Sequence, residues 1–147
     1  MIHFNIPFKT GKENYYIEQV IRNNSFAGAN KYSSKCSKFL EKKFSIKKVL
    51  LTDSCTSALE IAALSLNLKP NDEVLVPSYG YPTTVSAFYR TGCKIKFYEI
   101  DKSDYMYDLT DLKQKINKRT KALVIIHYAG MIANLNNLIE LKKKYKF

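Results

Sequence analysis

The strongest constraint on the fold of this chain is a regular alternation between two hydrophobic periods. Along residues 49–126, short apolar runs of strand length recur, and helical spacing of apolar residues follows each of the first three. Strands that alternate with helices in this way form a mostly parallel sheet with helices packed on both faces. We therefore predict an α/β fold with three layers: helices, a mostly parallel sheet, and helices.

The same patterns give approximate bounds for the elements. The predicted strands cover residues 49–51, 73–77, 94–100 and 121–126. The predicted helices cover residues 12–23, 32–44, 83–90, 108–116 and 135–145, with a further helix that begins after Ser54-Cys55-Thr56 and ends before Pro70.

Composition and charge limit the classes of partner. The chain has 147 residues, of which 46% are hydrophobic, so it is long enough for one domain with a real core. Its net charge of +11 would favour nucleic acid if the lysines were concentrated on one element. They are dispersed instead, and the longest basic run is Lys142-Lys143-Lys144. We expect a solvated surface and no binding to nucleic acid.

The cysteines and the hydropathy indicate a reduced compartment. The three cysteines are an odd number without C-x-x-C spacing, which favours neither a disulfide framework nor a metal site. No run approaches the roughly 18 apolar residues of a membrane span, and the N-terminus has no signal-peptide pattern. We expect a cytoplasmic protein that does not enter the membrane.

A hydroxyl-rich turn, Ser54-Cys55-Thr56, lies between a predicted strand and the next helix. The first N–H groups of a helix lack intrahelical partners and lie at the positive end of its dipole, so this turn can bind a phosphate. The same residues equally fit an ordinary N-cap, and both interpretations remain open at this point. The chain has neither a G-x-G-x-x-G nor a G-x-x-x-x-G-K-[ST] pattern, so any phosphate belongs to another kind of ligand.

Two further loops follow predicted strands, at residues 78–84 and 127–130. Because ligands of parallel sheets bind beyond the carboxyl ends of the strands, we expect these loops and the Ser54-Cys55-Thr56 turn to line one cleft.

Several short motifs occur in a specific order along nearly the whole chain. They are Asn5-Ile6-Pro7-Phe8, the loop through Gly28, Ser54-Cys55-Thr56-Ser57-Ala58-Leu59-Glu60, Pro70-Asn71-Asp72-Glu73-Val74, Pro77-Ser78-Tyr79, Gly92, Arg119-Thr120-Lys121 and His127-Tyr128-Ala129-Gly130. Together they resemble the DegT/DnrJ/EryC1/StrS family of sugar aminotransferases, which use pyridoxal 5′-phosphate (PLP) on the fold of aspartate-aminotransferase-like enzymes. The wording Leu-Leu-Thr-x-Ser-Cys-Thr and His-Tyr-Ala-Gly is most similar to the dTDP-4-amino-4,6-dideoxygalactose transaminases.

The resemblance implies roles for four residues. The main chain of Cys55 and the main chain and hydroxyl of Thr56 would bind the cofactor phosphate, with Ser57 assisting. Tyr81 would stack on the pyridine ring, although a partly buried core tyrosine is the alternative interpretation. A nucleophilic Cys55 with His127 as its base is a weaker alternative, and we assign His127 no catalytic role.

The resemblance also implies that residues 1–147 lack two functional residues of the family. The lysine that carries PLP and the aspartate that pairs with its ring nitrogen both lie further along the chain in the family. We therefore expect residues 1–147 to be the N-terminal part of the PLP-binding large domain, without its remainder or the small C-terminal domain. By themselves they should be inactive, with a complementary C-terminal polypeptide as a candidate partner and a homodimer as the family's assembly.

The implied activity is transfer of an amino group from an amino acid such as glutamate to a 4-keto-6-deoxy sugar nucleotide. Two alternatives remain open. The chain could belong to a PLP-dependent sugar dehydratase, which shares the fold but replaces the lysine. It could also be a non-catalytic binding or regulatory module that retains a phosphate site.

Overall fold

The computed structural model describes residues 2–3 and 5–147, and the chain divides into two compact units, residues 1–51 and 52–147. Across these described residues, no helix combines the length and the apolar character needed to cross a membrane.

The first unit contains two helices at the places that the sequence predicts. They are α1 (Glu13–Arg22) and α2 (Lys31–Phe44). The side chain of Asn30 caps α2 by accepting a hydrogen bond from the Lys31 N–H at 2.9 Å. Apolar side chains of this unit line an open groove of about 950 Å³, among them Ile17, Val20, Phe26 and Phe39.

The prediction of a buried strand at residues 49–51 is wrong. These residues adopt no regular secondary structure, and Leu50 and Leu51 are 77% and 47% exposed. A strand needs a neighbouring strand to receive its N–H groups. Here the N–H of Val49 donates instead to the carboxylate of Glu41, at 3.0 Å, so the apolar run is held by a side chain of α2.

The second unit contains the sheet. Its elements are α3 (Cys55–Ser65), β1 (Glu73–Pro77), α4 (Thr83–Tyr89), β2 (Lys94–Tyr98), α5 (Leu109–Lys115), β3 (Thr120–Leu123) and α6 (Leu135–Tyr145). The strands are parallel and lie in the order β2-β1-β3, with β1 in the centre. The predicted α/β fold with a parallel sheet is confirmed.

Alternate residues of β1 divide the core into two layers. Val74 and Val76 are fully buried in a cluster that includes Ala63 of α3 and Phe88 of α4. Leu75 is fully buried in a second cluster, with residues of α5 and α6. Since successive side chains of a strand point to opposite faces, helices cover the sheet on both sides, as predicted.

Strands β2 and β3 are shorter than the sequence indicates. Beyond Tyr98 the chain leaves the sheet, and Ile100 forms an isolated antiparallel bridge with Tyr107. The apolar run after Leu123 stays extended, and Val124 still donates to the carbonyl of Leu75 at 2.9 Å. Apolar alternation continues past the last ladder pair because these residues still pack on the core.

A buried carboxylate at the start of β1 bonds to residues of β2 and of the turn before β3. The side chain of Glu73, in β1, accepts hydrogen bonds from Asn117 Nδ2 and Arg119 Nε, each at 2.7 Å, and lies 3.6 Å from Lys96 Nζ. Burial tends to raise the pKa of Glu73, but these hydrogen bonds and the charges of Lys96 and Arg119 outweigh it, so the pKa is lowered.

We predict that Glu73→Gln lowers the free energy of unfolding by about 2 kcal/mol at neutral pH, because the hydrogen bonds from Asn117 and Arg119 lose their buried, charged acceptor. The lowered pKa means that the stabilisation is present above the ordinary value of 4.5 and is lost as the pH falls. Urea unfolding should therefore show the difference between wild type and variant shrinking below about pH 4.5. The control is Glu60→Gln at the exposed ion pair with Arg90, which should cost less than about 1 kcal/mol. An equal loss in both variants would contradict the prediction.

Candidate functional site

The N-terminus of α3 presents two backbone N–H groups that are free to bind a ligand. Ser54 is the N-cap residue: its hydroxyl oxygen accepts from the Ser57 N–H, and its carbonyl accepts from the Ala58 N–H, both at 3.1 Å. The N–H groups of Cys55 and Thr56 come before the first intrahelical bond, and among the described residues neither has an acceptor. The N-cap therefore accounts for Ser54 but leaves these two donors unused.

The orientation of α3 places these donors toward the carboxyl ends of the strands. The helix leads through a short turn into the start of β1 and packs on the sheet through Ala63. Its N-terminus therefore lies toward the opposite edge, where the strands end. Cys55 is exposed and Thr56 is half-buried, so a ligand can reach both N–H groups and the Thr56 hydroxyl.

Ser57 and Asp53 are already engaged with the cap. The hydroxyl of Ser57 lies 3.0 Å from that of Ser54. A hydrogen bond from the Ser57 hydroxyl, followed by the N–H groups of Asp53 and Ser54, lowers the pKa of the Asp53 carboxyl. A phosphate at this helix end would therefore meet two free N–H groups and the Thr56 hydroxyl, with a neighbouring carboxylate that opposes it.

Tyr81 lies on the loop after β1, and its side chain is 73% exposed. The structure thus does not place it in the core. Two contacts hold the loop that carries it: the Ser78 N–H donates to the Tyr98 carbonyl at 2.8 Å, and Gly80 lies against Ile126. A Cβ atom at position 80 would approach Ile126 Cδ1 to 2.7 Å, so the glycine permits this close packing.

His127 has a structural contact in the loop after β3. Its Nδ1 accepts a hydrogen bond from the Ala133 N–H at 3.2 Å, which leaves Nε2 to carry the proton in the neutral ring. Nearby, the side chain of Asn134 accepts from the N–H groups of Asn136 and Asn137 and caps α6. Asn134 is therefore the N-cap residue of α6.

A cluster of three tyrosines was not singled out from the sequence. Tyr79, Tyr105 and Tyr128 have ring centroids 5.2–6.4 Å apart, and the hydroxyls of Tyr79 and Tyr128 lie 2.9 Å from each other. Each tyrosine lies in a loop that follows a strand, and this shared position is the sequence signal that could have indicated the cluster. Their contact depends on loop geometry, which residue spacing does not reveal. In the described residues no group of three or more His, Cys, Asp or Glu side chains is placed to hold a metal ion.

The fold and site together define an α/β domain in which two main-chain N–H groups, unpaired among the described residues, lie at the N-terminus of a helix that packs on a parallel sheet. The model of the DegT/DnrJ/EryC1/StrS aminotransferase family matches residues 8–147. The chain belongs to this family.

The chain is also similar to individual proteins. GDP-perosamine synthase of Escherichia coli O157:H7 is 28% identical over 137 residues. UDP-4-amino-4-deoxy-L-arabinose–oxoglutarate aminotransferase of Shewanella sediminis is 32% identical over 93 residues, which cover 63% of this chain and 24% of that protein. The solved structure of E. coli GDP-4-keto-6-deoxy-D-mannose-3-dehydratase with bound hydrated PLP has a TM-score of 0.87 at 23% identity.

The chain is much shorter than these proteins. The match to GDP-perosamine synthase covers 93% of this chain but 38% of the relative, and the match to the dehydratase structure covers 97% of this chain and 39% of that one.

We predict that Ser54→Ala lowers the free energy of unfolding by about 1 kcal/mol, because the Ser57 N–H loses its side-chain acceptor. Ser65→Ala, in the last turn of the same helix, removes a hydroxyl that bonds only to the Ile61 carbonyl and should change stability by less than about 0.5 kcal/mol. Chemical denaturation of both variants checks the difference. Equal stability of Ser54→Ala and wild type would contradict the assignment of Ser54 as the cap.

Proposed function

We propose that this chain binds PLP, with the phosphate at the N-terminus of α3 and the pyridine ring against Tyr81. The observation that carries the proposal is the pair of unused N–H groups of Cys55 and Thr56, which lie next to the Thr56 hydroxyl in a chain of this family. Ser57 contributes indirectly by holding the cap. The exposed Tyr81 ring offers a flat surface for stacking and would exclude water from one face of the cofactor.

The donor set fits a phosphate ester. Two main-chain N–H groups and one hydroxyl can each donate to a phosphate oxygen, and the helix dipole adds a favourable field. The Asp53 carboxylate opposes the ligand charge, so we expect the affinity to rise as Asp53 is neutralised by mutation.

In the whole protein, we propose transfer of an amino group from glutamate to a 4-keto-6-deoxy sugar nucleotide. PLP supplies the electron sink for such chemistry. The residues described here bind and orient the cofactor, while Tyr81 shields its ring. The Leu-Leu-Thr-x-Ser-Cys-Thr and His-Tyr-Ala-Gly motifs support a dTDP-linked sugar. The two named relatives act on GDP- and UDP-linked sugars according to their names. Comparing dTDP- with GDP-linked keto sugars as acceptors distinguishes these nucleotides.

We propose that residues 1–147 are the N-terminal part of the large PLP-binding domain and do not catalyse transamination by themselves. Family resemblance places the lysine that carries PLP and the aspartate at its ring nitrogen outside these residues. A complementary polypeptide or a longer chain would supply them, and a homodimer is the assembly that we propose for the whole protein.

A sugar dehydratase is the second candidate function, because the dehydratase structure superposes over 97% of this chain. The phosphate site and Tyr81 would serve either reaction. A lysine at the cofactor-carrying position of the whole protein would favour the aminotransferase, and another residue there would favour the dehydratase.

We predict that Thr56→Val lowers the affinity for pyridoxamine 5′-phosphate by about tenfold, because one hydrogen bond to a charged phosphate is lost. This ligand has no aldehyde, so it does not attach to lysines. Isothermal titration calorimetry measures the affinity, with Thr110→Val, in the first turn of α5, as the matched control. Pyridoxamine without the phosphate should bind weakly and be insensitive to the change. Equal affinity of Thr56→Val and wild type for the phosphorylated ligand would overturn the proposed phosphate site.

We predict that the 147-residue chain treated with PLP and borohydride acquires no stoichiometric label on a single lysine. Peptide mass spectrometry should find only low, scattered labelling of exposed lysines, and no amino transfer from glutamate to a keto-sugar nucleotide. One fully labelled lysine together with turnover would refute the proposal that these residues are inactive alone.

A further inference from the structure

Three tyrosines come together from three different loops of the second unit. Tyr79 lies in the loop after β1, Tyr105 in the turn between β2 and α5, and Tyr128 in a short 3-10 turn after β3. The ring centroids of Tyr79 and Tyr128 are 5.2 Å apart, and Tyr105 lies 6.4 Å and 5.8 Å from them. These separations are those of interacting aromatic rings.

The sheet order explains why the cluster joins these loops. Because β1 lies between β2 and β3, the loop after β1 has the other two loops as its neighbours. Tyr79 contacts the rings of both Tyr105 and Tyr128, which also contact each other. Its hydroxyl also lies 2.9 Å from that of Tyr128, and either group can donate. This is the side-chain hydrogen bond that connects the loop after β1 with the loop after β3.

The loop after β1 is the one that carries Tyr81. Its first residue is held by two hydrogen bonds, from the Ser78 N–H to the Tyr98 carbonyl at 2.8 Å and from the Ser78 hydroxyl to Glu99 at 3.2 Å. At its other end, the Tyr81 carbonyl accepts from the Thr84 N–H at 3.0 Å. The Tyr81 ring is 73% exposed, so its placement depends on the backbone that these contacts hold.

We propose that Tyr79 and Tyr128 are positioning residues, whose mutual hydrogen bond sets the position of Tyr81 for stacking on the ring of the bound cofactor. The proposal rests on the proposed function, because it assumes that Tyr81 meets a planar ligand. The hydrogen bond affects how the cofactor ring fits against Tyr81 and does not change the phosphate contacts of α3.

The electrostatics of the pair agree with this geometry. The hydrogen bond with Tyr79, followed by the electrostatic effect of that phenol, raises the pKa of Tyr128. The Tyr128 phenol therefore remains protonated throughout the neutral range and can keep its hydrogen bond with Tyr79. Tyr105 contributes packing: within the described part of the chain, its hydroxyl has no hydrogen-bond partner.

Tyr128→Phe removes the hydroxyl and keeps the ring, so it tests the bond alone. In the 147-residue chain, the affinity for pyridoxamine 5′-phosphate should fall about threefold to tenfold, while the affinity for inorganic phosphate stays the same. Tyr79→Phe should have the same effect from the other end of the bond, and the double variant should be no weaker than either single variant. Tyr105→Phe is the matched control and should bind like wild type.

Amide hydrogen exchange provides a readout that does not depend on the ligand. The N–H groups of Ser78 and Thr84, which donate to the carbonyls of Tyr98 and Tyr81, should exchange faster in Tyr128→Phe, while the amides of β1 keep their protection. If Tyr128→Phe binds pyridoxamine 5′-phosphate and inorganic phosphate as tightly as wild type, and its amide exchange is unchanged, the positioning role is overturned. The proposed function is unaffected by that result. A wild-type chain that binds pyridoxamine 5′-phosphate no better than inorganic phosphate would overturn the stacking role of Tyr81, and the inference with it.

Discussion

The rest of the second unit depends on the hydrogen bonds and ion pairs of the buried Glu73 carboxylate. This carboxylate lies in the first residue of the central strand and bonds to Asn117 and Arg119, just before β3, and to Lys96 in β2. A buried charge is tolerated only when such partners satisfy it, so the carboxylate holds the neighbouring strands in their places. Glu73 also pairs with Lys94 and Thr120 in the ladders, so the three strands begin level.

Strands β1 and β2 begin and end level, whereas β3 ends opposite Leu75, two residues before the end of β1. The chain after β3 stays beside β1 through the hydrogen bond from the Val124 N–H to the Leu75 carbonyl, so the loops that follow the three strands meet at one edge of the sheet. The tyrosine cluster is a direct consequence of this geometry. The site thus depends on a charge network at the opposite edge of the sheet, even though the two share no residue.

One apolar cluster holds the two helices next to the proposed phosphate donors and the proposed stacking ring. Helix α3 carries Cys55 and Thr56 at its start, and α4 begins just after Tyr81. Both helices pack on the same face of β1, and the ion pair of Glu60 with Arg90 joins them at 2.8 Å. The distance between the two halves of the site is therefore determined by close packing, which changes little without loss of stability.

Much of the second unit follows from patterns that short sequence windows contain. The alternation of periods predicts the parallel sheet, and the apolar run of β1 predicts burial on both faces. The Ser54-Cys55-Thr56 turn predicts the helix start that the structure shows. Each of these depends on local residue types, so the sequence alone is sufficient.

The remaining features depend on contacts between distant residues. Residues 49–51 have the composition of a strand, but Val49 bonds to Glu41 instead of to a neighbouring strand. The hydrogen bond between Tyr79 and Tyr128 joins residues 49 positions apart, and no regular spacing in the sequence indicates it.

The most direct test of the central claim maps the ligand contacts by NMR in the 147-residue chain. We predict that pyridoxamine 5′-phosphate shifts the amide signals of Cys55 and Thr56 and the ring signals of Tyr81 together. Inorganic phosphate should shift the same two amides and leave the Tyr81 ring unchanged. Shifts confined to scattered lysines, with no change at Cys55, Thr56 or Tyr81, would contradict the account.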